Sequence, residues 1–262
     1  IRGGRIAAIR RRAPRGARTV NLRGAFVAPG FIDLHVWGDP RQVAREAVKH
    51  GTTAFLTTLG PEAPSALRRR VAAHAAIDRP GAQCLGLHLE GPFVNPERGG
   101  ALPRRDMREP TLAELNALRR VSQGHLRMVT LAPELRGARA AIQWCRRHRI
   151  VASLGHSEAD AQTAHRAVDA GASAVTHVFN GMRRLHPRES SLVDVALTDP
   201  RLATMVIADG VHVSPTAFRV LVQAKGPAHI ALVTDSIRFQ GWDVTARNGA
   251  YYTRTGTLAG RA

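Results

Sequence analysis

Residues 150–177 have the sequence IVASLGHSEADAQTAHRAVDAGASAVTH, which contains a complete strand–helix–strand pattern. The apolar run at its start and the shorter run at its end each predict a buried strand. Between them, Ser157 and Asp160 can cap a helix, and Gly171 can end it. A strand, a crossover helix and a second strand form the repeating unit of parallel α/β sheets.

The same alternation extends through most of the chain. Further helices are marked by Thr111 with Glu114 as a capping box, by Ser214 followed by Pro215, and by the segment Arg41–His50. Eight apolar runs are predicted as strands: Phe31–His35, Ala54–Leu59, Cys84–Leu89, Arg127–Ala132, Ile150–Leu154, Ala174–His177, Ala203–Ala208 and Ile230–Thr234. Eight such units favour an α/β fold of the (β/α)8 TIM-barrel type. An open doubly wound sheet is the alternative, because periodicity alone does not separate the two.

Three segments are predicted along the chain. Residues 1–30 contain IRGGRIAAI and TVNLRGAFVAPG, which predict two or three short strands of a small β-domain. Residues 31–240 hold the barrel, and residues 241–262 return to a β pattern at Ala250–Leu258.

Composition excludes several classes of protein. Of the 262 residues, 44% are hydrophobic and 22% are charged, as in ordinary globular chains and unlike disordered or collagen-like ones. No uncharged apolar stretch reaches the about 18 residues that a membrane span needs, and the first residues lack the apolar core of a signal peptide. Cys84 and Cys145 are far apart, so we expect both to be reduced and the protein to be cytoplasmic.

The net charge of +18 raises the possibility of a nucleic-acid partner. All but two of the 38 basic residues, Lys49 and Lys225, are arginines, and they are scattered over the whole chain. This scattered distribution indicates that the sequence prefers arginine in general, and it is not typical of a binding face. We therefore expect no specific nucleic-acid partner, although the surplus would attract anionic substrates such as sugar phosphates.

Ligand-type side chains follow the predicted strands. His35, Glu90, His156, His177 and Asp235 stand at the ends of the first, third, fifth, sixth and eighth strands. In a (β/α)8 barrel these ends meet at one mouth, where active sites are built. Two imidazoles and one carboxylate suit Zn²⁺ or a similar divalent ion and leave a position open for water. A nearby carboxylate would accept the proton of that water, and Asp235 is placed for this role.

Each of these residues also has a structural interpretation. A single histidine at a strand end is more often a hydrogen-bonded polar residue than a ligand. Glu90 can cap a loop, Ser157 can explain the GHS segment as a helix cap, and Asp235 can be an N-cap. The metal-site hypothesis depends on the whole group, because chance placement of four such residues at strand ends of one barrel is much less frequent.

The segments APGFIDLHVWG, LGLHLEGPFVNPERGGA, LAPE, LGHSEAD, VTHVFNGM, ADGVHV, LVTDS and GTLAG occur in the order found in N-acetylglucosamine-6-phosphate deacetylases. The sequence therefore resembles this family of the amidohydrolase superfamily over nearly its whole length. The resemblance implies a metal-dependent barrel with a small β-domain made from both chain ends. It also implies hydrolysis of N-acetylglucosamine 6-phosphate to glucosamine 6-phosphate and acetate in amino-sugar recycling, and commonly a homodimer.

The resemblance assigns roles to individual residues. It implies that Glu90, His156 and His177 are the metal ligands, and that Asp235 is the general acid/base. It implies substrate contacts by a larger set, in which Arg188 would bind the phosphate: Ala101, Leu102, Asn180, Gly181, Arg188, His212, Leu258, Ala259 and Gly260.

The sequence departs from the family pattern in three places. Members of the superfamily often have a His-x-His pair on the first strand, and the corresponding residues here are His35 and Trp37. We therefore expect one metal ion and no second one. We expect His35 to be a weak extra ligand or a neighbouring hydrogen-bond donor. The loop Gly38–Gly51 is shorter than usual. The family's last helix and closing strands are missing, which would expose apolar strand surface. We expect a fragment of a longer protein, or a partner subunit that covers the gap.

Three functions stay open on the sequence alone. The first is deacetylation of an N-acetyl amino-sugar 6-phosphate. The second is a related amidohydrolase reaction on another N-acyl amino sugar or a cyclic amide. The third is a non-catalytic remnant that binds a sugar phosphate.

Overall fold

Strands and helices alternate along the chain in the computed structural model, which describes residues 5–75, 80–239, 244–247, 250–253 and 258–261. The strands are β1 Phe31–Gly38, β2 Thr52–Leu59, β3 Gln83–Glu90, β4 Leu126–Leu131, β5 Val151–Leu154, β6 Ala174–Val175, β7 Ala203–Ile207, β8 Ile230–Val233 and β9 Ser236–Phe239. The helices are α1 Pro40–Ala47, α2 Pro64–Ala75, α3 Leu112–Val121, α4 Ala138–Arg147, α5 Ala161–Ala170, α6 Leu192–Thr198 and α7 Pro215–Lys225. All eight strands predicted from the sequence are confirmed.

The nine strands form one curled parallel sheet in the order β8-β7-β6-β5-β4-β3-β2-β1-β9. Strands β8 and β9 are two halves of one stretch of chain: β8 pairs with β7, and β9 pairs with β1 on the far side of the sheet. At the break between them, Thr234 Oγ1 donates to Asp33 Oδ2 at 2.6 Å, and the Asp235 N–H donates to the His35 carbonyl oxygen at 3.0 Å. The sheet therefore returns to its first strand, which confirms the TIM-type fold and excludes the open sheet.

Local capping explains where several helices begin. Asp160 accepts from the Thr163 N–H at 2.7 Å at the start of α5, and Gly171 ends that helix with a φ of 119°. At the start of α7, Ser214 accepts from the Ala217 N–H, as predicted. These caps satisfy N–H groups that have no partner within the helix.

The predicted capping box at the start of α3 is only half formed. Thr111 Oγ1 accepts from the Glu114 N–H at 3.2 Å, but the Glu114 carboxylate binds the Arg108 guanidinium instead of the Thr111 backbone. A charged partner outcompetes a backbone N–H for a carboxylate. A complete capping box occurs at Ser191 and Asp194, before α6.

The barrel interior has an apolar floor and a polar upper layer. Leu56, Met128, Met205 and Val233 form a buried cluster contributed by four strands. Successive side chains of a strand alternate between its two faces, so Thr130 lies one layer above Met128 on the same face of β4. On β4 the apolar floor therefore gives way to a polar residue near the end of the strand.

The two chain ends differ from each other. Within residues 5–30 the structure describes turns and a single bridge residue, Arg5, and not the short strands predicted there. Most of this segment is exposed, including Ile9 and Phe26. Near the other end, β10 (Val244–Arg247), β11 (Ala250–Thr253) and β12 (Leu258–Arg261) form an antiparallel sheet. That the two ends form one small domain stays a prediction.

Apolar side chains are exposed on β1 and β8, where Ile32 and Leu232 face solvent. In the part of the chain that the structure describes, no helix follows β8 to cover them. Among the same residues, none of the helices has both the length and the apolar character that crossing a bilayer requires.

Candidate metal centre and active site

Three imidazoles surround the carboxylate of Glu90, which ends β3. Oε1 of Glu90 lies 2.8 Å from Nε2 of His156 and 2.7 Å from Nε2 of His177, and Oε2 lies 3.1 Å from Nε2 of His35. All four residues are buried. Residues from β1, β3 and the loops after β5 and β6 thus meet at one point, as expected for strand ends in a closed barrel.

The charges in this cluster are strongly coupled. Burial alone would raise the pKa of the Glu90 carboxyl, but the charge of His35 and the hydrogen bonds from His156 and His177 hold that pKa well below its ordinary value. For His35, burial opposes protonation, while the carboxylates of Glu90 and Asp235 outweigh it and raise the pKa to about 9. Such mutual stabilisation of opposite charges in a buried cluster is typical of metal and catalytic sites.

The donor set fits a divalent metal ion. One ligand atom each from His35, Glu90 and His177 lies within 4.8 Å of the others. Nδ1 of both His35 and His177 is buried without a hydrogen-bond partner among the described residues. Imidazole nitrogen with carboxylate oxygen is a ligand combination typical of zinc, although other divalent ions accept it. The buried group could hold a metal ion, and it includes His35 beside two of the three predicted ligands.

Three residues at this site have a backbone conformation that is unusual for residues other than glycine. His156, His177 and Asp235 have φ values of 48°, 29° and 49°, in the left-handed region that non-glycine residues rarely adopt. Each such residue costs on the order of 1 kcal/mol or more, and such residues are concentrated at functional sites. The surrounding contacts must therefore hold these three residues in place.

Asp235 lies at the break between β8 and β9, beside the cluster. Its Oδ1 is 3.3 Å from His35 Nε2 and accepts a hydrogen bond from Trp37 Nε1 at 2.8 Å. Its side chain is 21% exposed, whereas that of Glu90 is only 3% exposed. Asp235 is thus the carboxylate of this group with access to solvent, which a residue that exchanges protons with a substrate requires.

The orientation of the His156 ring is fixed by its hydrogen bonds. Nδ1 lies 2.7 Å from the Arg98 carbonyl oxygen, which can only accept, so Nδ1 carries a proton, and Nε2 is the ring atom that faces Glu90. Gly181 is packed against this ring. A Cβ at Gly181 would lie 2.8 Å from His156 Nδ1 and 3.1 Å from the Arg98 oxygen, so no larger residue fits without displacing the imidazole.

Glu134 is a partly buried residue with several hydrogen-bond partners that the sequence interpretation missed. Its carboxylate accepts from Asn95 Nδ2 at 2.9 Å, from Ser157 Oγ at 2.7 Å and from the Glu158 N–H at 2.7 Å. It therefore joins the loop after β3 to the loop that carries His156. The available signal was its position in LAPE, directly after β4, which matches the position of the other polar residues.

A second group that the sequence interpretation missed lies beneath the cluster. His88 Nδ1 donates to the Leu34 carbonyl oxygen at 3.0 Å, so Nε2 accepts from Thr130 Oγ1 at 2.7 Å. Thr130 must then accept from Thr176 at 2.7 Å, and Thr176 from Ser153 at 2.6 Å. Burial, together with His35, lowers the pKa of His88 to about 3, so the ring is neutral. This series of hydrogen bonds holds together the strands that lie below the site.

The predicted substrate contacts near His177 lie in the loop after β6. Asn180 is partly buried, with Nδ2 3.4 Å from the His177 carbonyl oxygen, and Gly181 follows it. Arg188 is exposed further along this loop, where its N–H donates to His186 Nδ1 at 3.4 Å.

The other predicted contacts lie in three different segments. His212 lies after β7, and a hydrogen bond of 2.8 Å between its Nδ1 and Asp209 Oδ2 holds its ring in place. Ala101 is partly buried, and the neighbouring Leu102 is buried against Trp37. The remaining three residues belong to β12, of which the structure describes the backbone course: Leu258, Ala259 and Gly260.

Comparison with known proteins defines the class. The model of the amidohydrolase family matches residues 26–250. The chain therefore belongs to the amidohydrolase family.

Within this family, the chain is a homologue of amino-sugar-phosphate deacetylases. It is 33% identical to the N-acetylglucosamine-6-phosphate deacetylase of Bacillus subtilis strain 168, over 99% of this chain and 74% of that protein. It is 35% identical to the N-acetylgalactosamine-6-phosphate deacetylase of Escherichia coli O157:H7, over 90% of this chain and 69% of that protein.

Solved structures lead to the same relatives. The N-acetyl-D-glucosamine-6-phosphate deacetylase D267A mutant of Mycobacterium smegmatis, in complex with N-acetyl-D-glucosamine-6-phosphate, matches with a TM-score of 0.79 and 34% identity over 89% of this chain and 67% of that one. The N-acetylglucosamine-6-phosphate deacetylase of Pasteurella multocida matches with a TM-score of 0.82 and 26% identity over 95% of this chain and 72% of that one. The resemblance seen in the sequence motifs is confirmed.

Proposed function

We propose that this protein is a metal-dependent deacetylase that removes the acetyl group of N-acetylglucosamine 6-phosphate. The observation that carries the proposal is the buried cluster of Glu90 with His35, His156 and His177 beside the partly exposed Asp235. A carboxylate open to solvent next to a site suited to a divalent ion is the arrangement that amide hydrolysis needs.

Glu90, His156 and His177 are the proposed metal ligands, and Zn²⁺ is the proposed ion. His35 lies close enough to the same carboxylate to assist them. When bound, such an ion polarises the amide carbonyl and makes water more acidic. We propose a single ion per site, because Trp37 stands where a second imidazole would be needed and an indole cannot act as a ligand.

Asp235 moves the proton. In this proposal its carboxylate accepts a proton from the attacking water and then donates it to the nitrogen of the leaving amine, so that acetate and the free amino sugar are formed. The contacts of Asp235 with His35 and Trp37 orient the carboxylate before substrate arrives. Such preorganisation lowers the cost of reaching the transition state.

In this proposal the protein recognises the substrate through its phosphate group. Arg188 is the proposed phosphate ligand, since a guanidinium matches phosphate oxygens with two parallel hydrogen bonds. The net charge of +18 attracts a dianionic substrate from a distance. The further proposed contacts are Ala101, Leu102, Asn180, Gly181, His212, Leu258, Ala259 and Gly260. A homodimer is the proposed assembly.

The test is acetate release by zinc-supplied protein that melts cooperatively, with N-acetylglucosamine 6-phosphate and N-acetylgalactosamine 6-phosphate compared side by side. Asp235→Asn should lower kcat by about 10² to 10⁴ while zinc content is kept. Asp106→Asn is the matched control, because the two side chains have similar exposure, 21% and 18%. An Asp235→Asn variant with full activity contradicts the mechanism.

Two alternatives give different results in the same experiment. Preference for the galacto sugar would place the protein with its Escherichia coli relative, which has comparable identity. A zinc-loaded, folded protein inactive on both sugars would favour another N-acyl amino sugar or a cyclic amide as substrate. A folded protein that binds no metal would favour a non-catalytic sugar-phosphate-binding role.

A further inference from the structure

Trp37 contacts the carboxylate that the proposed mechanism uses for proton transfer. It follows His35 by two positions on β1, so both side chains point to the same face of the strand. Nε1 of Trp37 lies 2.8 Å from Oδ1 of Asp235, and Nε2 of His35 lies 3.3 Å from the same oxygen. Two ring nitrogens from one strand therefore hold one carboxylate oxygen that is 198 residues away from Trp37 in the chain.

The indole ring has little freedom to move. It is 3% exposed and packs against Val94 and Leu102, both from the loop after β3. Its far edge lies over Gly60, where a Cβ would come within 2.8 Å of the ring atom Cη2. Because the ring is held on its apolar sides, the direction of its N–H is fixed before any substrate binds.

Asp235 needs such support. Its φ of 49° is in the left-handed region, and it lies at a break between two strands, so local backbone structure does little to fix its side chain. Its own N–H is held by the His35 carbonyl oxygen at 3.0 Å. An indole N–H can only donate, so the hydrogen bond from Trp37 occupies Oδ1 and leaves Oδ2 for proton exchange.

We propose that Trp37 is a positioning residue, which orients the Asp235 carboxylate for proton transfer through its indole N–H. This inference rests on the proposed role of Asp235. It gives a function to the residue that replaces the second histidine of the His-x-His pattern.

The kinetic test compares Trp37→Phe with Trp144→Phe in zinc-loaded protein. Trp144 is a matched control, because it is also 3% exposed and its Nε1 donates to a side-chain oxygen, Asn116 Oδ1, at 2.9 Å. Trp37→Phe should lower kcat about 10- to 100-fold, the loss expected for one hydrogen bond to a charged group, with KM and zinc content unchanged. Equal kcat values for the two variants would overturn the proposal.

A second measurement tests the contact without any substrate. The chain has three tryptophans, so proton NMR shows three indole N–H signals, and Trp37→Phe identifies one of them by its loss. In zinc-loaded Asp235→Ala the Trp37 signal should move upfield and exchange faster with solvent, while the Trp144 signal stays in place. An unmoved Trp37 signal would overturn the proposal.

The two measurements separate this inference from the proposed function. If wild-type protein deacetylates neither sugar phosphate but the Trp37 signal responds to Asp235→Ala, the proposed substrate is wrong and the hydrogen bond between Trp37 and Asp235 is supported. If wild-type protein is active and the signal does not respond, the proposed function is supported and the positioning role of Trp37 is wrong.

Discussion

Nε2 of His177 lies 2.7 Å from Oε1 of Glu90, although 87 residues separate them in the chain. Glu90 ends β3 and His177 lies in the loop after β6, and both are buried. Glu90 lies at the centre of the cluster, because its two oxygens also face His35 and His156. A carboxylate at this point stabilises three imidazoles when no metal is bound, and it can act as a ligand with them when one is.

Replacement of Glu90 should abolish metal binding. In Glu90→Gln the side chain keeps its size but loses its charge, so we expect zinc affinity to fall by at least about 100-fold, together with activity. Zinc content after dialysis, measured by elemental analysis, checks this. Glu109→Gln changes an exposed carboxylate paired with Arg136 and serves as the control. Full zinc content in Glu90→Gln would contradict the proposed site.

Removal of Arg188 should impair recognition of the phosphate. We expect Arg188→Ala to lower kcat/KM for N-acetylglucosamine 6-phosphate about 10- to 100-fold, because one charged hydrogen-bonding group is lost, and to leave the unphosphorylated sugar unaffected. Arg184→Ala is the control, since Arg184 is also exposed in the loop after β6. If Arg188→Ala lowers kcat/KM for the phosphorylated sugar no more than Arg184→Ala does, Arg188 does not bind phosphate.

Glu134 should support the metal site from a distance. In Glu134→Ala three hydrogen bonds are lost, from Asn95, Ser157 and the Glu158 N–H, so we expect the loop that carries His156 to loosen and zinc affinity to fall about 10- to 100-fold.

Glu134→Gln should restore most of that affinity. Its amide oxygen can still accept from Asn95 and the Glu158 N–H, and its NH₂ can donate to Ser157 Oγ. Competition with a zinc chelator gives the affinity of each variant. Equal losses in the two variants would mean that the hydrogen bonds do not support the site and that the charge of Glu134 is what matters.

Stability should depend on pH through Asp199, far from the site. The hydrogen bonds from Arg201 lower the pKa of Asp199 to about 2 from its ordinary 3.8. A lowered pKa in the folded state stabilises the fold above about pH 4, and this contribution is lost as pH falls towards 2. Asp199→Asn should therefore lower the free energy of unfolding by about 1–2 kcal/mol at pH 7, and by less at pH 3.

Urea denaturation at the two pH values measures this difference. Asp169→Asn is the control, because Asp169 contacts the same Arg201 but is mostly exposed, and we expect a change within about 0.5 kcal/mol. A destabilisation by Asp199→Asn that is the same at pH 7 and pH 3 would rule out the ionic contribution.

Much of the fold could be predicted from local sequence. The eight apolar runs became strands because their length and their alternation with helix patterns leave few other arrangements. Caps such as Asp160 and Ser214 were recognisable because they act on N–H groups two or three residues away. The capping box at Thr111 failed in part because Glu114 had a competitor, Arg108, six residues before it.

The site could be predicted as a list of residues but not as a geometry. A closed parallel barrel brings all its strand ends to one mouth, so residues at the predicted strand ends could be expected to meet there. These residues are His35, Glu90, His156, His177 and Asp235.

Only the tertiary structure decided how these side chains are supported. Nothing near Glu134 in the sequence indicates that it binds Asn95 and Ser157, and nothing near Trp37 indicates its contact with Asp235. Short-range signals act through the neighbouring backbone and are therefore readable in one segment. Contacts across the barrel depend on the register and closure of the whole sheet, which the chain as a whole determines.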